Sequence, residues 1–104
     1  MTKEDLLNCH KRIQPFIHKT AVLTSRLIDK EVNAHLFFKC ENFQRAGAYK
    51  MRGATNAILQ LSVEQKKNGV VTHSSGNFAQ ALSLAAQSVG VTAYIVMPNT
   101  APEV

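Results

Sequence analysis

A chain of 104 residues with 45% hydrophobic residues has the size and composition of one small globular domain. Its formal charge of +5 comes from 12 Lys and Arg against 7 Asp and Glu, but the cations are interleaved with Glu4, Asp5, Asp29, Glu31, Glu41 and Glu64, which fits solvated helix surfaces better than a basic nucleic-acid-binding face. No apolar run reaches membrane-spanning length and the opening residues hold no signal-type hydrophobic stretch, so the chain reads as cytoplasmic, with no membrane partner.

In chain order, Thr2-Lys-Glu-Asp5 has the form of a capping box with Asp in the place of Glu. It predicts an amphipathic helix with Leu6, Leu7, His10, Ile13 and Ile17 on one face, ending or kinking near Pro15. His10 and His18 fit the surface or end of this helix better than they fit ligands. Thr24 or Ser25 caps a second, short helix to about Val32, with Leu27, Ile28 and Val32 facing inward and Asn33 at its stop. His35–Cys40 is an apolar run of strand length.

Gly47 and Ala48 then make a turn into a helix over 50–61, where Met51, Ala54, Ala57, Ile58 and Leu61 recur at helical spacing. Lys66-Lys67-Asn68-Gly69 is polar and turn-forming, and it predicts a domain boundary or crossover. Val70–His73 is a short β-branched strand. Ser74–Asn77 breaks it and opens a helix with Phe78, Leu82, Ala85 and Val89 on one face and Gly90 as its stop. Val91–Met97 is a second strand closed by Pro98. Strand, helix and strand at this spacing form a βαβ unit with parallel pairing and a right-handed crossover, so the fold class is α/β. After Lys67 the only charged residue is Glu103, and this predicts a last third buried on most sides. Cys9 and Cys40 have neither zinc-site spacing nor a second pair, and both read as buried or half-buried free thiols.

Two stretches carry chemistry. Lys50 stands where strand gives way to helix, and the unpaired amides of a helix's first turn disfavour an ammonium there. Enclosure acts in the same direction, and together they favour the neutral, nucleophilic amine. From the lysine alone, a solvated side chain is the plainer reading. Ser74-Ser75-Gly76-Asn77 lies at the carboxyl end of a strand and the amino end of a helix, where free amides and small hydroxyls suit a carboxylate or phosphate. From that pattern alone an ordinary capped turn is the plainer reading, and His73 reads as a strand-end residue.

Taken together, the two stretches resemble one family. Ala48-Tyr-Lys-Met-Arg-Gly-Ala54 resembles its Ser-Phe-Lys-x-Arg-Gly-Ala lysine motif, and Thr72-His-Ser-Ser-Gly-Asn-Phe-Ala-Gln80 resembles its Ser-Ser-Gly-Asn-His-x-Gln substrate loop. The family is that of serine racemases and serine/threonine dehydratases, fold-type II pyridoxal-phosphate enzymes with a tryptophan synthase β-like architecture. The resemblance runs from His18-Lys-Thr-Ala-Val-Leu-Thr24 through Phe37-Phe-Lys-Cys-Glu-Asn-Phe-Gln44 to Pro98-Asn-Thr-Ala-Pro102, and is strongest to eukaryotic serine racemases.

The resemblance implies that Lys50 holds pyridoxal phosphate in a Schiff base and shuttles the substrate's α-proton. It implies that Asn77 bonds the cofactor's phenolic oxygen and that Tyr49 forms an aromatic wall. Ser74, Ser75, Asn77 and the backbone at Phe78 grip the carboxylate of serine or threonine. Ser75 is the second acid/base, on the face opposite Lys50, and favours racemisation over dehydration to pyruvate and ammonia. In relatives that bind ATP between the subunits of a homodimer, the corresponding positions are Ser25, Arg45 and Gln80. Arg26 and Ala46 depart from that pattern, as Ala21, Tyr49 and Phe78 depart from the usual Pro, Phe and His.

The family's glycine-rich phosphate cradle, pyridine-nitrogen partner and Mg2+ ligands have no counterpart in this sequence, whose five glycines are isolated. Residues 1–67 therefore correspond to the opening of the large domain and 68–104 to the opening of the small one, both incomplete. The expectation is an amino-terminal third with little activity alone. The rival expectations are a non-catalytic partner of a full-length homologue and, more weakly, a small basic module that holds an acidic partner or nucleic acid.

Overall fold

The computed structural model describes residues 1–101. Five α-helices, three short 3-10 turns and four strands follow one another in that span. Helix α1, Lys3–Ile13, begins where the capping box places it: the Thr2 hydroxyl accepts from the Asp5 amide, and the Asp5 carboxylate accepts from the Thr2 amide at 2.6 Å. The Thr2 amide's bond to it, with the Thr2 hydroxyl beside it, holds the Asp5 carboxyl below its ordinary value. The helix stops at Ile13 because Pro15, within the 3-10 turn Gln14–Phe16, has no amide to continue the ladder. Only Ile13 of its predicted inner face is buried, while Leu6 and Leu7 are exposed.

Strand β1, Val22–Leu23, pairs antiparallel with β2, Phe38–Lys39. The strand expected over His35–Cys40 is thus only two residues long, because its partner offers just two. Between them α2, Arg26–Val32, is capped by Ser25 and closed by Asn33 in the left-handed conformation at φ 50°. Its predicted inner face is a correction: Leu27, Ile28 and Val32 are all exposed, since no described element packs over them. Two 3-10 turns, Glu41–Phe43 and Arg45–Gly47, lead into α3, Lys50–Leu59. Ala46 and Gly47 both have positive φ, so the chain reverses there rather than at Ala48.

Met51, Ala54 and Ile58 of α3 are buried as the periodicity predicts, whereas Ala57 is exposed and Thr55 takes the inner position in its stead. The polar stretch before Gly69 is not a bare turn. It is the end of α4, Val63–Asn68, which Ser62 and Gln65 close with a reciprocal capping box. Gly69, at φ +77°, stops this helix, and a Cβ there would come within 2.8 Å of the Thr92 carbonyl oxygen.

Strand β3, Val70–His73, is followed by α5, Asn77–Gln87, and β4, Ala93–Val96, and β3 pairs parallel with β4 in the register Val70↔Ala93 to His73↔Val96. This is the expected βαβ unit. One core joins α3 to α5 and the strands, built from Met51, Ala54 and Ile58 against Ala81, Leu82, Ala85, Ala86 and Val91, with Phe78, Val70, Ala93 and Ile95 packed at its edge. Alanine on the inner face of α5 lets the two helix backbones lie close. That core crosses from residues 1–67 into residues 68–101. The last third is not buried on most sides: Val71, Tyr94 and Val96 are exposed on the sheet face away from α5, and Met97, just past β4, is exposed as well. The radius of gyration is 16.8 Å, against about 13 Å for a compact domain of about 100 residues, so the described chain is an open layer.

Candidate active site

Lys50 is the first residue of α3, and its side chain is exposed. What fixes it is the segment just before and after. Gln44 is buried and uses both ends of its amide: Oε1 accepts from the His18 amide at 2.8 Å and the Arg45 amide at 3.0 Å, while Nε2 donates to the His18 carbonyl at 2.9 Å. Arg52, one residue past Met51, meets Glu41 in a two-pronged pair, with Nε donating to Oε2 at 2.8 Å and Nη2 to Oε1 at 2.7 Å. The Thr20 hydroxyl donates to the same Oε1 at 2.6 Å, and Lys39 Nζ donates to the Thr20 carbonyl at 2.7 Å.

Chiefly through the Arg52 hydrogen bonds, the Glu41 carboxyl is lowered to about 2, and Glu41 in turn raises Arg52. The start of α3 is therefore anchored on both sides of the lysine. Neither Gln44 nor the Glu41–Arg52 pair was assigned a role from sequence. Gln44 lies in a stretch without periodicity, and the ion pair joins residues eleven apart across a chain reversal, so no local signal marks either one.

The hydroxyl loop is built differently. The Ser74 amide donates to the Val96 carbonyl at 3.1 Å, which pins the loop's start to β4, and the Ser74 hydroxyl accepts from the Gly76 amide at 3.4 Å. Ser75, Gly76 and Asn77 are exposed, and no side chain caps α5. A Cβ on Gly76 would meet nothing within 4 Å, so the space above the loop is open. The packing of α3 on α5 joins the helix that Lys50 begins to the helix that Asn77 begins. Phe78 is half-buried against the shared core, so its backbone, and not its ring, belongs to the loop. Tyr49 is 65% exposed next to Lys50.

The positions carried over for a nucleotide are partly engaged. The Ser25 hydroxyl accepts from the Ile28 amide at 3.4 Å, and Arg45 Nη1 donates to the Phe16 carbonyl at 2.9 Å, while Gln80 is exposed on α5. A cavity of about 640 Å³ that sequence reasoning did not single out is lined by His10, His18, Lys19, Lys39 and Arg52, among others, and not by Lys50. Among the described residues no three His, Cys, Asp or Glu side chains gather as a metal site, and no helix is long and apolar enough to cross a membrane.

The donor set fits one end of pyridoxal phosphate. An exposed amine at a helix start suits an aldehyde, and open hydroxyls and amides suit a carboxylate, while no glycine-rich loop offers itself to the phosphate. The comparisons agree with this chemistry. Residues 13–104 match the family of pyridoxal-phosphate dependent enzymes, and the chain belongs to that family.

Within it, the chain is 53% identical over 102 residues to the serine racemase of Schizosaccharomyces pombe, covering 98% of this chain and 32% of that one. It is 52% identical over 102 residues to the β-hydroxyaspartate dehydratase of Paracoccus denitrificans, again covering 98% of this chain and 32% of the other. The crystal structure of serine racemase from Dictyostelium discoideum matches with a TM-score of 0.95 at 50% identity, over 99% of this chain and 34% of that one. The expected fold-type II architecture is thereby established. The chain spans about a third of the length of these relatives.

Proposed function

We propose that this chain carries the lysine-bearing part of a pyridoxal-phosphate-dependent serine racemase that also dehydrates serine to pyruvate and ammonia. The observation that carries the reading is the packing of α3 on α5, which joins an exposed lysine at one helix start to an uncapped hydroxyl loop at the other. Lys50 would hold the cofactor covalently, Asn77 through its side-chain amide and Tyr49 through its ring. Once bound, the cofactor withdraws electrons from the substrate's α-carbon, so that the proton there becomes removable. Ser74 and the first-turn amides of α5 bind and orient the substrate carboxylate. Lys50 Nζ moves the α-proton on one face, and the Ser75 hydroxyl serves the other. Return of a proton from the Ser75 side inverts the centre, whereas loss of the β-hydroxyl gives the dehydration products.

Reduction with borohydride after adding pyridoxal phosphate tests the assignment. Modification confined to Lys50, and absent in Lys50→Ala, is the expected result; scattered or missing modification contradicts it. The isolated 104-residue chain is expected to turn over little serine, because it offers no phosphate cradle, and measurable D-serine or pyruvate from it would contradict this. A dehydratase acting on serine, threonine or a β-hydroxy dicarboxylate is the second reading, favoured by the nearly equal likeness to the Paracoccus enzyme. Chiral separation of the serine recovered from a covalent fusion to a relative's remaining chain tells the two apart.

The rest of the reading concerns organisation. The division into 1–67 and 68–104 predicts first proteolytic nicks near Gly69. A homodimeric, cytoplasmic enzyme completes it, with ATP as an effector near Ser25, Arg45 and Gln80 and with the Mg2+ ligands outside this sequence; calorimetric titration with ATP checks the nucleotide site.

A further inference from the structure

Asn68 and Gly69 join α4 to β3. Among the chain's asparagines only Asn68 is followed by glycine; the others precede Cys9, Ala34, Phe43, Ala57, Phe78 and Thr100. A side chain on the following residue hinders the approach of that residue's backbone nitrogen to the asparagine's Cγ, and glycine has none. The Gly69 nitrogen is thus the least hindered nucleophile of its kind in the chain.

The fold leaves this pair reachable. Asn68 is exposed as the last residue of α4, a helix of six residues, none of which is buried. A helix so short has little stability of its own, and its end frays first. The Gly69 amide is held by a bond to the Lys66 carbonyl at 3.2 Å, which closes the last turn. When that turn opens, the Gly69 nitrogen is released and Asn68 leaves its helical backbone angles, so the two can meet.

On the other side of the pair there is no slack. Gly69 has φ +77°, and a Cβ there would come within 2.8 Å of the Thr92 carbonyl oxygen and 3.2 Å of the Tyr94 ring. The Val70 amide, which opens β3, donates to the same Thr92 oxygen at 2.8 Å, and at the strand's far end the Ser74 amide is pinned to the Val96 carbonyl.

We infer that Asn68–Gly69 is a site of spontaneous deamidation, whose isoaspartyl product unseats β3 from β4 and loosens the start of the Ser74–Asn77 loop. The Gly69 nitrogen loses its proton and attacks Asn68 Cγ; the new C–N bond closes a succinimide while the Cγ–Nδ2 bond breaks and ammonia carries the proton away. Water then opens the ring at one of its two carbonyls, leaving an aspartate or an isoaspartate at position 68. Either product adds a negative charge at the end of α4, where the helix dipole disfavours it. Isoaspartate also inserts an extra backbone carbon before Gly69, and the close contact with Thr92 leaves no room to absorb it. The inference does not rest on the chemistry of Lys50.

The test holds the folded chain in warm, mildly alkaline buffer beside a sample unfolded in guanidinium chloride, and follows both by isoelectric focusing and by peptide mapping with electron-transfer fragmentation, which separates isoaspartate from aspartate. The expected result is an acidic form whose modification maps to position 68 ahead of every other asparagine, slower in the folded chain than in the unfolded one. Asn68→Gln, whose longer side chain must close a larger and slower-forming ring, should remove that form. The isoaspartyl chain, separated by ion exchange, should lose hydrogen-exchange protection at the Val70 and Ser74 amides, whereas Asn68→Asp, which carries the charge on an unaltered backbone, should keep it. A folded chain that stays intact at Asn68 while the unfolded sample reacts overturns the inference, as does modification led by another asparagine. So does an isoaspartyl chain as well protected as the native one, or an equal loss of protection in Asn68→Asp.

Discussion

The two halves of the candidate site are held in opposite ways. Around Lys50 a set of polar side chains is spent on the protein itself: Gln44 clasps His18 and Arg45, and Glu41 gathers Arg52 and Thr20. From Ser74 to Asn77 the same kinds of groups are left nearly unspent, with one long bond from the Gly76 amide to the Ser74 hydroxyl. On the proposed function, a reactive amine must be delivered to a fixed place, which suits the bonded surroundings of Lys50. On the same proposal, a loop that receives a carboxylate must keep its donors free until the ligand arrives, which suits the open Ser74–Asn77 loop.

The largest test of this contrast is Gln44→Ala. It removes three hydrogen bonds from a side chain that is 4% exposed, and at about 1 kcal/mol for each the loss is about 3 kcal/mol, read from urea unfolding. Arg52→Ala should cost about 2 kcal/mol, since it leaves the half-buried Glu41 carboxylate without its two-pronged partner.

The same pair sets an acid limit. The Glu41 carboxyl is lowered from 4.5 to about 2 on folding, so its stabilisation is present above pH 4.5 and is lost as the pH falls toward 2. A melting-temperature profile over that window should drop in the native chain and lose this component in Arg52→Ala. If the two profiles coincide, the ion pair does not hold the start of α3.

A smaller effect of opposite sign is expected at Thr55, whose hydroxyl is buried in α3 with no hydrogen-bond partner among the described residues. Thr55→Val keeps the shape and removes the unsatisfied group, and should stabilise by about 1 kcal/mol. Smallest of all, Ser75→Ala should leave stability within about 0.5 kcal/mol of the native chain, because its exposed hydroxyl supports nothing. A large loss there would show that the loop is structural and erase the contrast.

Local pattern made much of this legible. The Thr2–Asp5 box, the Ser25 cap, Asn33 at the end of α2, strand Val70–His73 and the strand, helix and strand of the βαβ unit each follow from residue patterns read over neighbouring positions, and all stand where they are expected. What the pattern missed has a common cause. Leu27, Ile28 and Val32 are spaced as an inner face and still lie exposed, because spacing names the face but not what covers it. The α4 helix was hidden by its polar composition, although Ser62 and Gln65 cap it. In the site, the lysine and the hydroxyl loop were visible as motifs, whereas Gln44 and the Glu41–Arg52 pair were quoted within motifs and given no role.

By itself, then, the sequence determined the element types, the family and the identity of Lys50, Ser74, Ser75 and Asn77 as candidates, because those depend on short spacings and on residue chemistry. Only the tertiary structure decided that α3 packs on α5, that Glu41 rather than a neighbour on the helix meets Arg52, and that one face of β3–β4 stands bare. Each of those is a contact between distant parts of the chain, and which distant groups meet is settled by packing and not by spacing.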